Sequence, residues 1–484
     1  MLEERVYNHG LAWAPPQSSS ASHRGLLEML DHYSPFGQIR NVLCSFRSGV
    51  GMGGFQGSAA PLSLDHVFRR ITGMGALKVG LDREIYGGGK GLVLADSVAS
   101  SLGEAVERML GAFSSLEPAF LSTSVTATAQ QMRDRGYTIV GPEDFGMFTA
   151  EQLDAVGFRC VPWTPDTRLT WHRGTNLLTG TEHWVPGQLV HLFYVPEGPE
   201  DHIGASSSGG LATHYDDEHA LCHALLEVVE RDALNLAWFC KVPLTRIDLD
   251  QPFEDPEITR FMASVERAGM HIDFYLHRLD MPEFFVVTAS AVEPGLEAHS
   301  YVSGGGVGIT IEHAIRSALA EVVQAERMVR SPSVAPRWEL TGGFKRRFTV
   351  DRAARPDEFT NFIQVVDYYG FAENQRKLDW FLRDPGLPRL GLSELRTESS
   401  GSELERILNL YRKYGLTPIA FDFTPDTFHH VRLRKVFVPE LTPAFPPNIP
   451  LLGHRRYREL RMELGLDDRE WTLADMPADP LPYP

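Results

Sequence analysis

Apolar residues recur at three- and four-residue spacing in three stretches of this chain, and the three share one register. Ser97–Arg108 (SVASSLGEAVER), Ala220–Arg231 (ALCHALLEVVER) and Ala314–Ala325 (AIRSALAEVVQA) align without a gap. That spacing predicts amphipathic helices, over about Ser97–Phe113, His219–Phe239 and Ile311–Met328. Ser402–Tyr414 reads as a fourth helix, stopped by Gly415. Gly37–Phe46, Ile272–Leu276, Phe284–Thr288, Pro418–Asp422 and Arg434–Val438 alternate or cluster as strands, and Glu182–Val190 anchors a strand-rich middle layer. Each repeated helix follows a glycine-rich segment, read here as a turn: Gly87–Gly91, Ala205–Leu211 and Ser303–Gly308. The fold class expected is α/β with internal pseudo-repeats, helices packed on β-sheets.

Residues 1–35, with a Pro/Ser-rich patch at Ala14–Ala21, read as a partly flexible lead-in to one domain over 36–474. Residues 475–484 form a proline-rich tail, in which Pro480, Pro482 and Pro484 fix φ and favour an extended path.

Composition narrows the picture. With 43% hydrophobic and 23% charged residues, the 484-residue chain has ample material for a core. Its 63 acidic against 46 basic residues give a net charge of −17, which repels phosphate backbones and argues against nucleic acid as a partner. Cys44, Cys160, Cys222 and Cys240 show no CxxC spacing, so neither a zinc site nor a disulfide framework is expected; reduced thiols in cytoplasm are. No signal-like apolar run follows the first residues, and no stretch suits a bilayer.

The candidate chemistry lies in the shared register. Glu104, Glu227 and Glu321 fill one column, and Glu107, Glu230 and Gln324 a second, three residues on. Positions three apart share a helix side, so each helix carries a hard-oxygen pair along one edge, suited to Mg²⁺ and through it to a nucleotide triphosphate. A single ExxER is more often a surface helix with an internal Glu–Arg pair. Three copies in register, beside apolar Val106, Val228 and Val322, need a cation nearby. Arg108, Arg231 and Arg316 are candidate phosphate partners, since guanidinium stays charged when desolvated. His223 stands in the column of Ser100 and Ser317 and is expected either to face the site or to pack as a core histidine. No P-loop spacing occurs; Gly89-Lys90-Gly91 lacks the following Ser or Thr.

These residues together carry a family resemblance. SxxxExxER at Ser100–Arg108, ALLEVVERDA at Ala224–Ala233, RxxxxExxQ at Arg316–Gln324 and the terminal PLPYP resemble the YcaO superfamily, over nearly the whole chain from about residue 35. The tail is similar to the PxPxP terminus of azoline-forming cyclodehydratases. The resemblance implies a YcaO-type fold around a central nucleotide site, with 36–474 the catalytic domain. It implies an enzyme that uses ATP and Mg²⁺ to convert Cys, Ser or Thr of a ribosomally made precursor peptide to thiazoline or oxazoline. Mg²⁺ would be held by Glu104, Glu107, Glu227, Glu230 and Glu321. Ser100, Arg108, Arg231, Arg316 and Gln324 would serve the nucleotide, and Pro480, Pro482 and Pro484 the catalytic step. Relatives commonly place one more metal-binding glutamate eight residues before the second ExxE. Here that position is His219, with Glu218 beside it as the substitute. The lead-in is too short for a leader-reading domain, so an E1-like (ThiF-like) partner protein is expected, with a flavin-dependent dehydrogenase plausible downstream. The sequence leaves the oligomeric state open, a homodimer included. Thioamide or macroamidine synthesis is one alternative, and a catalytically weakened nucleotide- or peptide-binding scaffold another.

Overall fold

The computed structural model describes residues 20–33, 39–45, 52–61, 87–155, 158, 160–192, 194, 199–334, 349–359, 363–397, 400–443 and 450–483. The elements that position the site are, in chain order, α1 (Ser20–Asp31), β1 (Ile39–Ser45), β2 (Phe55–Pro61), β3 (Gly87–Gly91) and α2 (Leu94–Phe113). Then come β4 (Val125–Thr128), β5 (Arg168–Asn176), β6 (Glu182–Pro186), β7 (Leu211–His214), α3 (Asp217–Phe239), β8 (Thr245–Asp248) and α4 (Pro256–Arg267). Last are β9 (His271–Leu276), β10 (Phe285–Val292), β11 (Tyr301–Gly308), α5 (Ile311–Val334), α6 (Gln364–Gly370), β12 (Arg389–Gly391), α7 (Glu403–Lys413), β13 (Ile419–Asp422), β14 (Arg432–Phe437) and α8 (Arg455–Glu463).

The strands form three sheets. One is the antiparallel set β1-β2-β3, the second runs β11-β10-β9-β8-β12, and the third runs β4-β5-β13-β14-β7 with β6 beside β5. Between them sit the three long helices. Helix α2 packs on β2 and β3 and touches β7; α3 packs on β7 and β14 and touches β10 and β11; α5 packs on β10 and β11 and touches β2 and β3. Each helix is thus wedged between two different sheets. Strand number and order differ among the three surroundings.

The helices fall where the periodicity predicts, as does α7, whose N-cap Ser402 accepts the Glu405 N–H and whose stop, Gly415, has φ +66°. Two of the glycine-rich segments are not turns. Gly87–Gly91 and Ser303–Gly308 lie in β3 and β11, because α2 and α5 press directly on them. A Cβ at Gly87 would stand 2.5 Å from the Ser101 carbonyl oxygen, and one at Gly304 only 2.7 Å from the Val322 amide nitrogen. Glycine here buys close approach rather than chain reversal. Only Ala205–Gly210 remains a loop ahead of its strand and helix. The segment read as a lead-in contains α1, which rests on α2; residues 1–19 lie outside the described residues.

The tail is not a regular extended segment, for the chain bends at Met476, Ala478, Asp479 and Pro482, but it is packed: Pro480, Leu481, Pro482 and Tyr483 are all buried. Pro484 lies outside the described residues.

Candidate active site

The acidic edges of α2, α3 and α5 come together where the sheets meet. Each edge is fixed by a backbone N–H from a neighbouring segment. Glu107 accepts from Thr213 at 3.1 Å, Glu227 from Gly210 at 2.9 Å and Glu321 from Gly305 at 2.9 Å. The missing side chains of two glycines leave the room in which the edges meet. The space a Cβ of Gly305 would take has Glu230 Oε1 at 3.1 Å and Glu321 Oε2 at 3.7 Å. At Gly88 the neighbours are Gln324 and Glu104, and Gln324 Nε2 donates to the Gly88 carbonyl at 2.8 Å.

Lys90 on β3 completes the cluster. Its ammonium forms a short ion pair with Glu321 and also feels Glu230 and Glu104. The lone charge in GGGKG was its only signal in the sequence. Burial favours its neutral form, but the three carboxylates outweigh this and raise its pKa. Glu321 is the partner case: burial opposes ionisation, yet Lys90 and Arg231 hold its carboxyl below the usual range. Glu230, Glu104 and Glu107 are under-neutralised. Burial, with Glu321 alongside, raises Glu230 to about 7; burial also raises Glu104, and raises Glu107 well above the ordinary value despite Arg108. Even so the cluster is open to small ligands, for the side chains of Lys90 and Glu104 keep 33% and 30% exposure.

Arg108 lies 3.4 Å from Glu104 and Arg231 3.6 Å from Glu227, both one turn along their own helices, so each borders the cluster while paired within it. The Ser100 hydroxyl is 3.5 Å from the Lys90 amide nitrogen. His223 is solvent-exposed and lies within the field of Glu227, Lys90 and Glu321. Arg316 is engaged elsewhere: it pairs with Asp255 at 2.6 Å, with Asp96 at 3.2 Å and with Glu257. Glu218 is exposed in the first turn of α3, taking the Ser402 hydroxyl hydrogen. Nine residues along a helix place it about 13 Å from Glu227 in rise. Sequence spacing missed a second lysine, Lys435 on β14. It is buried, donates to the Ser207 and Gly209 carbonyls at 2.9 and 2.6 Å, and has its pKa lowered to about 8 by burial, against Glu227 and Glu107.

Hard-oxygen donors in excess of their cations suit Mg²⁺. Among the described residues, however, no three Asp, Glu, His or Cys side chains already stand close enough to hold an ion. Coordination shared with phosphate oxygens fits such a site, because Mg²⁺ commonly draws ligands from protein, water and nucleotide together.

Residues 88–442 match the family described as the YcaO cyclodehydratase, ATP- and Mg²⁺-binding. The chain therefore belongs to the YcaO family, and the mixed helix-and-sheet fold agrees. A heterocyclase solved in complex with substrate and cofactor superposes at a TM-score of 0.71, with 20% identity over 96% of this chain. This chain spans only 57% of that one. YcaO from Methanopyrus kandleri, bound with AMPPCP and Mg²⁺, gives 0.55 at 18% identity, covering 88% of this chain and 93% of that one. The E. coli microcin synthetase McbBCD complex gives 0.55 at 13% identity, covering 92% and 96%. No helix among the described residues is long and apolar enough to cross a membrane.

Proposed function

We propose that this protein is an ATP-dependent cyclodehydratase that forms azoline rings in a ribosomally made precursor peptide. The observation that carries the reading is the meeting of three acidic helix edges around Lys90, with more carboxylate than cation. In the proposed reaction a Cys thiol, or a Ser or Thr hydroxyl, gives up its proton to solvent and adds to the carbonyl carbon of the preceding amide, whose oxygen takes up the negative charge. The amide oxygen takes the γ-phosphoryl of ATP, releasing ADP. Phosphate then leaves with that oxygen as the amide nitrogen loses its proton, and the C=N bond of the ring forms.

Glu104, Glu107, Glu227, Glu230 and Glu321 would hold Mg²⁺ together with the triphosphate, and Gln324 would stand beside them. Bound there, Mg²⁺ would neutralise phosphate charge and favour phosphoryl transfer. Lys90 occupies the cluster as a positive charge and can turn to phosphate oxygens. Arg108 and Arg231 lie one turn beyond the carboxylates, in reach of an anion brought to the same edge. Ser100 borders the nucleotide side. Arg316, with three carboxylates around it, acts as a brace between α2, α4 and α5 unless nucleotide draws it away. The tail through Pro480 and Pro482 to Pro484 would order the reacting amide.

The precursor peptide and an E1-like leader-binding protein are the proposed partners; the McbBCD complex supports assembly with other proteins. A flavin-dependent dehydrogenase would act on the product. The test is phosphate release from MgATP with the partner and precursor present, alongside mass spectrometry. Loss of one water per phosphate supports the reading; exchange of oxygen for sulfur would replace it with thioamide synthesis. One observation favours a second reading, a nucleotide-binding scaffold: Glu218 stands apart from the other glutamates. Tight MgATP binding without phosphate release would select it.

A further inference from the structure

We infer that the C-terminal tail is held against the acidic cluster by a side-chain latch, in which Thr288 and His277 are positioning residues for Tyr483. The inference rests on the reading above, in which the tail serves the reaction. A segment with proline at alternate positions lacks every second N–H and is confined to a sheet edge if it joins a sheet at all. It presents more carbonyls than N–H groups, so donors from the surrounding structure are what seat it. That is the pattern observed. Trp238 Nε1 on α3 donates to the Asp479 carbonyl at 3.1 Å, the Tyr369 hydroxyl on α6 to Pro480 at 2.7 Å, and the Ser303 hydroxyl on β11 to Pro482 at 2.5 Å. Three elements from distant parts of the chain read three tail carbonyls.

The last contact differs in kind. The Tyr483 hydroxyl meets Thr288 Oγ1 at 2.5 Å, and Thr288 Oγ1 meets His277 Nε2 at 2.7 Å. All three side chains are buried, at 2%, 0% and 3% exposure. Thr288 lies directly opposite Gly305 in the β10–β11 ladder. Gly305 is the residue where Glu230 and Glu321 meet, and both carboxylates act on the Tyr483 phenol. A terminus buried only for its apolar bulk would be served equally by phenylalanine. The hydroxyl relay instead fixes the height of Tyr483 beside the cluster.

The test uses the full chain with Thr288→Val, Thr288→Ser and Tyr483→Phe. Hydrogen exchange is read by mass spectrometry over 476–483, and phosphate release is read with MgATP. Removing one buried hydroxyl contact is expected to raise tail exchange about tenfold in Thr288→Val and Tyr483→Phe, with Thr288→Ser near wild type. The same two variants should lose about tenfold in kcat with KM for ATP unchanged, as expected of misplacement rather than lost binding. Wild-type exchange in Thr288→Val and Tyr483→Phe would overturn the latch. Faster exchange with full turnover would overturn its positioning role. A wild-type protein that releases no phosphate counts against the proposed reaction instead, and the exchange measurement still decides whether the latch exists.

Discussion

Helix α3 carries two charged networks two residues apart, and they are built on opposite principles. Asp232 is fully buried and takes Thr442 N at 2.8 Å, the Thr442 hydroxyl at 3.0 Å and Arg456 Nη2 at 2.6 Å. Arg456 in turn clamps Asp280 at 2.7 and 2.9 Å, so the arginine fork is filled and α8 is tied to α3. Glu230 belongs to the other network, where five carboxylates face Lys90, Arg108 and Arg231, and where burial raises Glu104, Glu107 and Glu230 while Lys90 and Arg231 hold Glu321 low. The first joins both carboxylates to the arginine by paired hydrogen bonds and holds the fold. The second holds more carboxyl groups than cations with solvent at hand, the condition under which a divalent cation displaces protons and binds.

The largest effect should come from breaking the filled network. Arg456→Met leaves Asp232 buried without its cation and is expected to lose about 3–5 kcal/mol of stability, read from the urea midpoint. The corresponding change in the open network has the reverse profile. Glu230→Gln removes a carboxylate that folding already disfavours, so the ligand-free protein should melt no lower than wild type, while MgATP turnover falls on the order of a hundredfold. A lower melting point with intact turnover would mean that the two networks were assigned the wrong way round.

Ligand should then sharpen the contrast. MgATP at about a hundred times its dissociation constant would add roughly 2.7 kcal/mol of stability. EDTA should remove most of that gain, and Glu230→Gln should show little of it in a thermal melt.

A third strategy gives a smaller effect: burying titratable rings in neutral form. Burial lowers His172 and His277 to about 4 and about 3. Folded values below the ordinary 6.5 mean the unfolded chain binds more protons on the acid side. The stability these rings contribute is present above about pH 6.5 and is lost as pH falls toward their folded values. Each should account for about 1–2 kcal/mol between pH 7 and pH 5. A His172→Gln variant that leaves the slope of the urea midpoint against pH unchanged would refute this.

Much of this was legible in the chain. The helix periodicity gave α2, α3 and α5, and the glutamate columns gave the edges that meet, because both follow from helical geometry alone. What spacing could not give was partnership across sheets. Lys90 stands in a segment that looked like a turn, since glycine in a sequence does not say whether it serves reversal or close contact. Arg316 was read as a phosphate partner, yet its surroundings come from Asp255 and Glu257 at the start of α4, a helix the periodicity did not bring out. Glu218 sat beside the expected position in sequence, but one step around a helix turns a side chain away by about 100°. Thr288 and Tyr483 are nearly two hundred residues apart, about 195, and no local pattern joins them.

The volume above Gly88 is filled by the Gln324 amide, 2.2 Å from where a Cβ would stand, so a single methyl group at that strand position would displace chemistry before it displaced structure. Sequence drift at this glycine should therefore be visible to selection through lost activity, in molecules that still fold and accumulate normally.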